Sequence, residues 1–566
     1  MTLQPKLFTT LQDYDVRQFR SDVLAGIIVG IVAVPLAIAF AIASGVPPQY
    51  GLYTAIIGGF IVAAFGGSRV QIAGPTGAFV VVVYGVIQQH GVQGLLVATM
   101  MAGVILVALG IGRLGGAIKF VPHPVVTGFT SGIAIIIATG QIPDLFGLRI
   151  EDVPADFIEK WAAYSAHWST LNVDAVLLSA ISLVIIMVWP RISHRVPAPF
   201  VALILGTVLV PILGLEVETI GSRFGQLSGQ LPRPALPDFG SVEINQLISP
   251  AVTIALLGAI ESLLSAVVAD GMIGTRHRSD IELVAQGAAN IATPFFGGIP
   301  VTGAIARTAT NIKNGGRTPV AGIVHAITLL LITLFFGQWV ARVPLAVLAA
   351  ILLVVAYHMS EWRTFKAEFS APKSDLIVLL TTFTLTIVFD LTVAVQVGMV
   401  LAAFLFMKRM SEVTNVQAVT REFTDPQGRG GDVRGKVPKG VEIYEINGPF
   451  FFGAAEHFKE QVNTVASKPK VLIILMRNVP AIDSTGMHAL KQLARRVRKD
   501  GTRIMIAEVH AQPMIALGKS YLLDEIGEEN LYGSVEDALE AARLATQQPL
   551  RKSGEPRPQP PSVPAP

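Results

Sequence analysis

Two charged side chains stand where a lipid-crossing chain can least accommodate them. Glu261 lies inside the apolar run Ala255-Leu256-Leu257-Gly258-Ala259-Ile260-Glu261-Ser262-Leu263-Leu264-Ser265. A carboxylate at mid-bilayer costs at least about 2.5–3.5 kcal/mol on insertion scales, so it has to face a cavity, a partner or an ion path. Glu261 is therefore a candidate carrier of a coupling ion, either a proton or a cation shared with Ser265 one helical turn further on. Arg307 cannot lose its charge, so it must meet a cavity, a carboxylate or an anionic ligand. An ion pair between Arg307 and Glu261 is the purely structural alternative.

Two short segments supply the rest of the candidate chemistry. One opens with Thr76-Gly77-Ala78 after Gln71-Ile72-Ala73-Gly74-Pro75, and the other with Thr302-Gly303-Ala304 after Gly297-Gly298-Ile299-Pro300-Val301. Short apolar segments interrupted by Gly and Pro at matching places in two halves point to a transporter's binding site. A half-helix that starts inside the membrane presents unpaired N–H groups and the positive end of its dipole. Two such ends meeting from opposite leaflets make an anion site. Gly77 and Gly303 would let the ligand approach the backbone, and Thr76 and Thr302 would add hydroxyl groups.

The elements that must hold these residues follow from composition. The 566-residue chain is 52% hydrophobic and 15% charged, has no cysteine and carries a formal charge of +3. Charged residues make up 11% of positions 1–410 and 25% of 411–566. This excludes a single soluble enzyme and a disulfide-built secreted protein, and gives no reason to invoke nucleic acid. No charge occurs for 46 residues between Asp22 and Arg69, or for 43 between Arg69 and Arg113. Each interval is about twice the ~20 residues that cross a bilayer. Dividing the apolar runs at Gly, Pro and charges predicts fourteen segments: 22–44, 51–66, 76–90, 94–112, 117–140, 172–189, 198–215, 248–269, 282–296, 303–314, 318–340, 343–358, 374–389 and 391–407. Several are too short for full spans. With the amino end in the cytoplasm, alternation puts fourteen Lys and Arg, including Arg69, Lys119, Arg195 and Lys408, in inside loops and five in outside loops. That bias sets the orientation and leaves both termini cytoplasmic. The interrupted segments are seven crossings apart, so they run in opposite senses.

The remainder divides into a polar linker, 411–440, and a small α/β domain, 441–545, with strands at Val441–Ile446, Val471–Leu475 and 502–507. Helices are predicted after Asp483-Ser484-Thr485-Gly486, at 512–526 and at 534–545. Asp483-Ser484-Thr485 is a good helix cap, and Ser484 is a candidate regulatory phosphorylation site. The end, 546–566, is expected to be disordered: the last 18 residues include seven prolines. His90, His123, His325, Asp270 and Asp390 are assigned no role. There is no metal-ligand spacing and no phosphate-binding loop, so neither cofactor nor enzymatic activity is expected.

These features together resemble the sulfate permease (SulP) family, the solute carrier family 26 of animals. The resemblance spans about residues 14–545 and rests on Pro35-Leu36-Ala37-Ile38-Ala39-Phe40-Ala41, Gly74-Pro75-Thr76-Gly77 and Thr302-Gly303-Ala304-Ile305-Ala306-Arg307-Thr308. The tail resembles a STAS domain, with Asp483-Ser484-Thr485-Gly486 on its signature. The resemblance implies a polytopic α-helical membrane protein of 14 segments in a seven-plus-seven inverted repeat. Its core domain would comprise segments 1–4 and 8–11 and its gate domain 5–7 and 12–14, in a homodimer that works by an elevator movement. It nominates Phe40, Thr76, Gly77, Ala78, Gly303, Ala304 and Ile305 for substrate, with Arg307 nearby, and Glu261 for coupling. Leu36 and Ala306 replace polar residues of some animal members, so chloride/bicarbonate exchange is not carried over.

The expected activity is secondary anion transport in a bacterial-type inner membrane, with sulfate first, coupled to protons by Glu261. Bicarbonate or C4-dicarboxylate transport, coupled to sodium or protons, stays open. So do an uncoupled anion channel or exchanger and a membrane-anchored signalling protein with the tail, bound to a cytoplasmic partner, as output. A nucleobase transporter of related fold is disfavoured by Arg307 and the tail.

Overall fold

The computed structural model describes residues 4–116, 121–150, 153, 154, 156–193, 196–225, 233–389, 391–419, 437–451, 453–455, 458 and 469–547. Lys119, Arg195, Asp390, most of the linker and the Pro-rich end lie outside the described residues. The chain divides into two compact units, Met1–Ala402 and Ala403–Pro566.

The first unit is predominantly helical. Its main helices are α1 (Val16–Ala43), α2 (Pro48–Phe65), α3 (Gly77–Ile111), α4 (His123–Gly140), α5 (Val173–Ile192) and α6 (Ala198–Leu213), followed by α7 (Ile244–Ile273), α8 (Ser279–Ala292), α9 (Ile305–Lys313), α10 (Pro319–Val340), α11 (Leu345–Met359) and α12 (Lys373–Val388). Helix α13 (Leu391–Val413) continues into the second unit. Each of the fourteen predicted segments overlaps a helix among the described residues, but the count of spans needs correction. Among the described residues nine helices are long and apolar enough to cross a membrane. The third and fourth segments run end to end along α3 and are separated by a break at Gly91 (φ 68°, ψ −177°), inside the predicted gap 91–93. A side chain would strain the chain at that positive φ, which glycine adopts freely. The eighth segment extends to 30 residues as α7, whereas the ninth and tenth shrink to the 14-residue α8 and the 9-residue α9.

Packing sorts these helices into two groups. Helix α1 lies along α10, α3 lies along α7 and α8, and α8 lies along α2. In the other group α4 packs on α12 and α11, and α5 on α6 and α11. Helices α3 and α8 approach closely, and a methyl on Gly103 would sit 2.7 Å from the Gly287 carbonyl oxygen. Lipid offers no hydrophobic gain for such contacts, so close backbone approach through small residues supplies the attraction.

Two very short strands interrupt the helices. Strand β1 (Ala73–Gly74) precedes α3, and β2 (Thr302–Gly303) precedes α9. They pair antiparallel, with Ala73 opposite Gly303 and Gly74 opposite Thr302. Two copies of a strand-then-helix motif therefore meet head to head, in opposite senses, as the repeat requires.

The second unit is a five-stranded sheet in the order β3-β4-β5-β6-β7, formed by β3 (Asn415–Ala418), β4 (Val441–Asn447), β5 (Val471–Asn478), β6 (Arg503–Ala507) and β7 (Leu531–Tyr532). β3 is antiparallel to β4 and the other pairings are parallel. Alternate residues feed two cores, as a period-two strand must. Leu472 and Ile474 pack with α14 (Ser484–Lys499), while Ile473 and Leu475 pack with α15 (Val535–Gln547). The predicted helix 512–526 is two helices, Ala511–Lys519 and Leu522–Ile526, joined through Tyr521 in the left-handed region.

Candidate anion site

The strand crossing is held by side chains that reach it from four directions. The Ile72 carbonyl accepts from Ala304 N–H at 2.8 Å, and Ile72 N–H donates to Thr308 Oγ1 at 3.0 Å. Asn311 Nδ2 donates to the Val70 carbonyl at 2.9 Å. On α8, Glu282, Gln286 and Asn290 form a buried polar stripe spaced by four residues. Glu282 accepts from Gly67 N–H (2.7 Å), Ser68 N–H (3.0 Å), Gln71 Nε2 (2.9 Å) and Gln286 Nε2 (3.1 Å). Four donors on one carboxylate are what makes its burial tolerable. Asn290 accepts from Val301 N–H at 3.0 Å and donates to the Val301 carbonyl at 2.8 Å, standing in for a neighbouring strand. Thr54 Oγ1 accepts from Ile299 N–H at 2.7 Å, fixing the approach to β2.

The nominated residues occupy distinct positions around this frame. Thr76 is the residue before α3, whose first helical residue is Gly77. Its hydroxyl is buried and has no partner among the described residues. A side chain on Gly77 would meet Met359 Sδ at 2.7 Å, and Ile137 and Phe40 at 3.3 Å, so these three apolar groups wall that helix start. Phe40 and Ala78 are buried. The second helix starts two residues later than predicted: Thr302 and Gly303 are strand, Ala304 caps, and Ile305, 38% exposed, is first in the helix.

Several expectations need correction. The Thr302 hydroxyl donates to the Gly258 carbonyl at 3.2 Å and lies 2.7 Å from Ser262 Oγ, so its one proton is engaged within the protein. The open side of Gly303 is filled by protein, since a methyl there would lie 2.1 Å from Gln71 Nε2. Ser265 is fully buried and donates to Thr308 Oγ1 at 3.3 Å. Arg307 and Glu261 do not form an ion pair. Arg307 donates to the Pro75 carbonyl at the end of β1, and its Nη1 has no partner among the described residues. Glu261 is half-buried and has no hydrogen-bond or ion-pair partner among the described residues.

This arrangement sets one fixed positive charge behind two helix starts whose first amides have no intrahelical acceptor. His325, dismissed on sequence, is fully buried on α10 within electrostatic range of Arg307, and both its ring nitrogens lack a partner among the described residues. Unmet buried donors of this kind are satisfied by ordered water or by a bound acceptor, and an anion is such an acceptor. The buried stripe on α8 was also missed. Its signal was present in the i, i+4, i+8 spacing of Glu282, Gln286 and Asn290.

A model of the sulfate permease family matches residues 19–382. The chain belongs to the sulfate permease family. A STAS domain model matches residues 433–538. Among similar proteins, YvdB of Bacillus subtilis (strain 168), named as a candidate sulfate transporter, is 42% identical over 92% of this chain and 97% of its own length. The bicarbonate transporter BicA of Picosynechococcus is 30% identical over 93% of this chain and 95% of its own length. The solved transmembrane domain of a cyanobacterium BicA covers 69% of this chain and 98% of that domain, with 31% identity and a TM-score of 0.61. The SLC26A9 structure has a TM-score of 0.85 at 18% identity, covering 96% of this chain and 93% of that one, which is a likeness of fold. The protein is thus a multi-pass membrane protein of an anion-transporting family with a carboxyl-terminal STAS domain.

In that STAS domain, Asp483 caps α14 by accepting from Gly486 N–H at 2.7 Å. Ser484, the first residue of the helix, is exposed. It is therefore sterically open to the predicted modification and takes no part in the cap.

Proposed function

We propose that the protein is a secondary active transporter of a small oxyanion, sulfate first, that takes up a proton with its cargo. The observation that carries this reading is the antiparallel pairing of Ala73–Gly74 with Thr302–Gly303, which brings the starts of α3 and α9 together inside an apolar bundle. The anion lies against the amides that open these helices, bordered by Phe40, Thr76, Gly77, Ala78, Ala304 and Ile305. Arg307 acts from behind the strands as a fixed counter-charge, not as a direct ligand. Such a site favours anions over neutral solutes, and nothing in it is arranged for covalent chemistry.

Glu261 is the coupling residue in this reading. A half-buried carboxylate with no salt-bridge partner in a membrane helix exchanges a proton more readily than one locked by arginine. Protonation there offsets charge as the helices around the crossing move relative to the group formed by α4–α6, α11 and α12. Residence in a bacterial-type inner membrane, cytoplasmic termini and a homodimer belong to the same proposal. Bicarbonate is the second reading, favoured by the BicA likeness over almost the whole chain.

Uptake into proteoliposomes across a panel of sulfate, bicarbonate and C4-dicarboxylates, with pH and sodium gradients varied separately, tests the assignment. Accumulation of sulfate driven by an inward proton gradient is expected, and Glu261→Gln should abolish that dependence. Gradient-independent flux in the parent, or unchanged pH dependence in the variant, would overturn the coupled mechanism.

A further inference from the structure

A cavity of about 510 Å³ opens beside the crossing, between α1, α3, α4 and α11. Its inner wall includes Ala39, Val80, Ile137 and Leu348, and Ile137 also borders the Gly77 helix start. Its mouth is built from the short helices Ile142–Phe146, Phe157–Ala166 and Ile220–Phe224, which carry Asp144, Lys160 and Arg223, and from Asp156. Asp144 and Arg223 are paired at 2.8 Å, and Arg223 also bonds Glu218. Asp156 is occupied as the cap of helix Phe157–Ala166, accepting from Ile158 N–H at 2.8 Å and Glu159 N–H at 3.1 Å. Lys160 differs from all of these. It is 8% exposed, lies on the cavity wall, and has no carboxylate within ion-pair distance among the described residues. Its Nζ stands 5.1 Å from the centre of the Tyr84 ring, which is fixed by a 3.0 Å hydrogen bond from its hydroxyl to the Val153 carbonyl.

An ammonium taken from water and met only by an aromatic face and by the longer-range charge of Asp156, itself committed to capping, is under-compensated. We propose that this cavity is an entry vestibule for the transported anion and that Lys160 is its recruiting cation, a binding position separate from the strand crossing. A small oxyanion held near Lys160 would complete the ammonium's solvation, then pass the apolar wall at Phe40 and Ile137 to reach the helix starts. The placement on the Tyr84 face keeps the charge weakly held and so available. This inference rests on the anion-transport reading, and it adds a sidedness that the crossing alone does not give.

The full chain reconstituted in liposomes tests it, with sulfate as probe. Lys160→Gln should raise the half-saturation concentration for entry from the cavity face by roughly three- to tenfold, the range of a partly solvated steering charge. Maximal rate and half-saturation from the opposite face should be unchanged, and Lys160→Arg should behave as the parent. Because the chain has no cysteine, Lys160→Cys supplies a second test that does not depend on comparing separately folded variants. Treating that variant with a cationic methanethiosulfonate should restore the low half-saturation, an anionic one should worsen it, and sulfate should slow both reactions. Equal half-saturation in Lys160→Gln, or identical responses to the two reagents, would overturn the proposal. Failure of the parent to accumulate any anion would instead count against the transport reading, and protection of the introduced thiol by sulfate would still decide whether the vestibule binds.

Discussion

Replacing Gly303 by alanine tests the geometry of the crossing directly. The added methyl would fall 2.1 Å from Gln71 Nε2, 2.7 Å from Gln71 Cδ and 3.2 Å from Ser262 Cα. A free glutamine would swing aside at little cost. Gln71 is not free, because it is 5% exposed and donates to Glu282 at 2.9 Å. The substitution must therefore either push the strands apart or break that bond. Overpacking costs about 1–3 kcal/mol, and a hydrogen bond to a charged group is worth about 1.5–3 kcal/mol. Gln71→Ala should cost the second amount alone, since Glu282 keeps three donors. The double variant should be less destabilised than the sum of the singles by about 1–3 kcal/mol, because the collision vanishes with the side chain that causes it. Unfolding temperature of the detergent-solubilised protein gives the ordering. Sulfate uptake in proteoliposomes should fall at least about tenfold in Gly303→Ala, as misplacement by an ångström does at a site that depends on orientation, and recover partly in the double. Parent-like stability and uptake in Gly303→Ala, or strict additivity with Gln71→Ala, would refute the account of the crossing as a locked contact.

Three further outcomes are expected. Asn290→Ala strips both partners from buried Val301 and should cost about 1–3 kcal/mol for each group left unpaired, read as a lower unfolding temperature together with slower uptake. Asp483→Ala should destabilise α14 by about 1 kcal/mol through loss of its cap, whereas Ser484→Ala should leave it unchanged; hydrogen exchange of the 484–499 amides separates the two. In the STAS domain the Arg495 guanidinium, with Lys491, holds the Glu525 carboxyl well below its ordinary 4.5, at about 2. A depressed value stabilises the fold above the unfolded-state value and is lost as pH falls from about 4.5 towards about 2. Exchange at helix 522–526 should therefore speed up across that window, modestly because the pair is exposed, and Glu525→Gln should remove the step.

The membrane body was legible because apolar runs and their interruptions are local. The break before Thr76 and its partner before Gly303 could be read from Gly and Pro alone, and even their opposite senses followed from counting segments. The split of 76–112 was readable as well, since Gln88, Gln89, His90 and Gln93 interrupt the apolar run around Gly91, where the helix breaks. Side-chain partners were harder. Glu261 and Arg307 looked like natural mates on charge, yet Arg307 turns to the Pro75 carbonyl, a group with no sequence signature. Lys160 sat in an ordinary polar loop, and only the folded arrangement buries it. In the tail, β3 and β7 were missed because strands of four and two residues carry too little pattern to show a period.

The crossing also limits how such a protein can move. Each repeat contributes one strand, and the Val70 and Ile72 carbonyls of the first copy are already spoken for by Asn311 and Ala304 of the second. Parting the copies to let cargo through would strand those groups in a dry interior. In the transport reading proposed above, access would alternate by carrying both helix starts together, so the paired strands act as a knot that ties the two strand-then-helix copies into one piece.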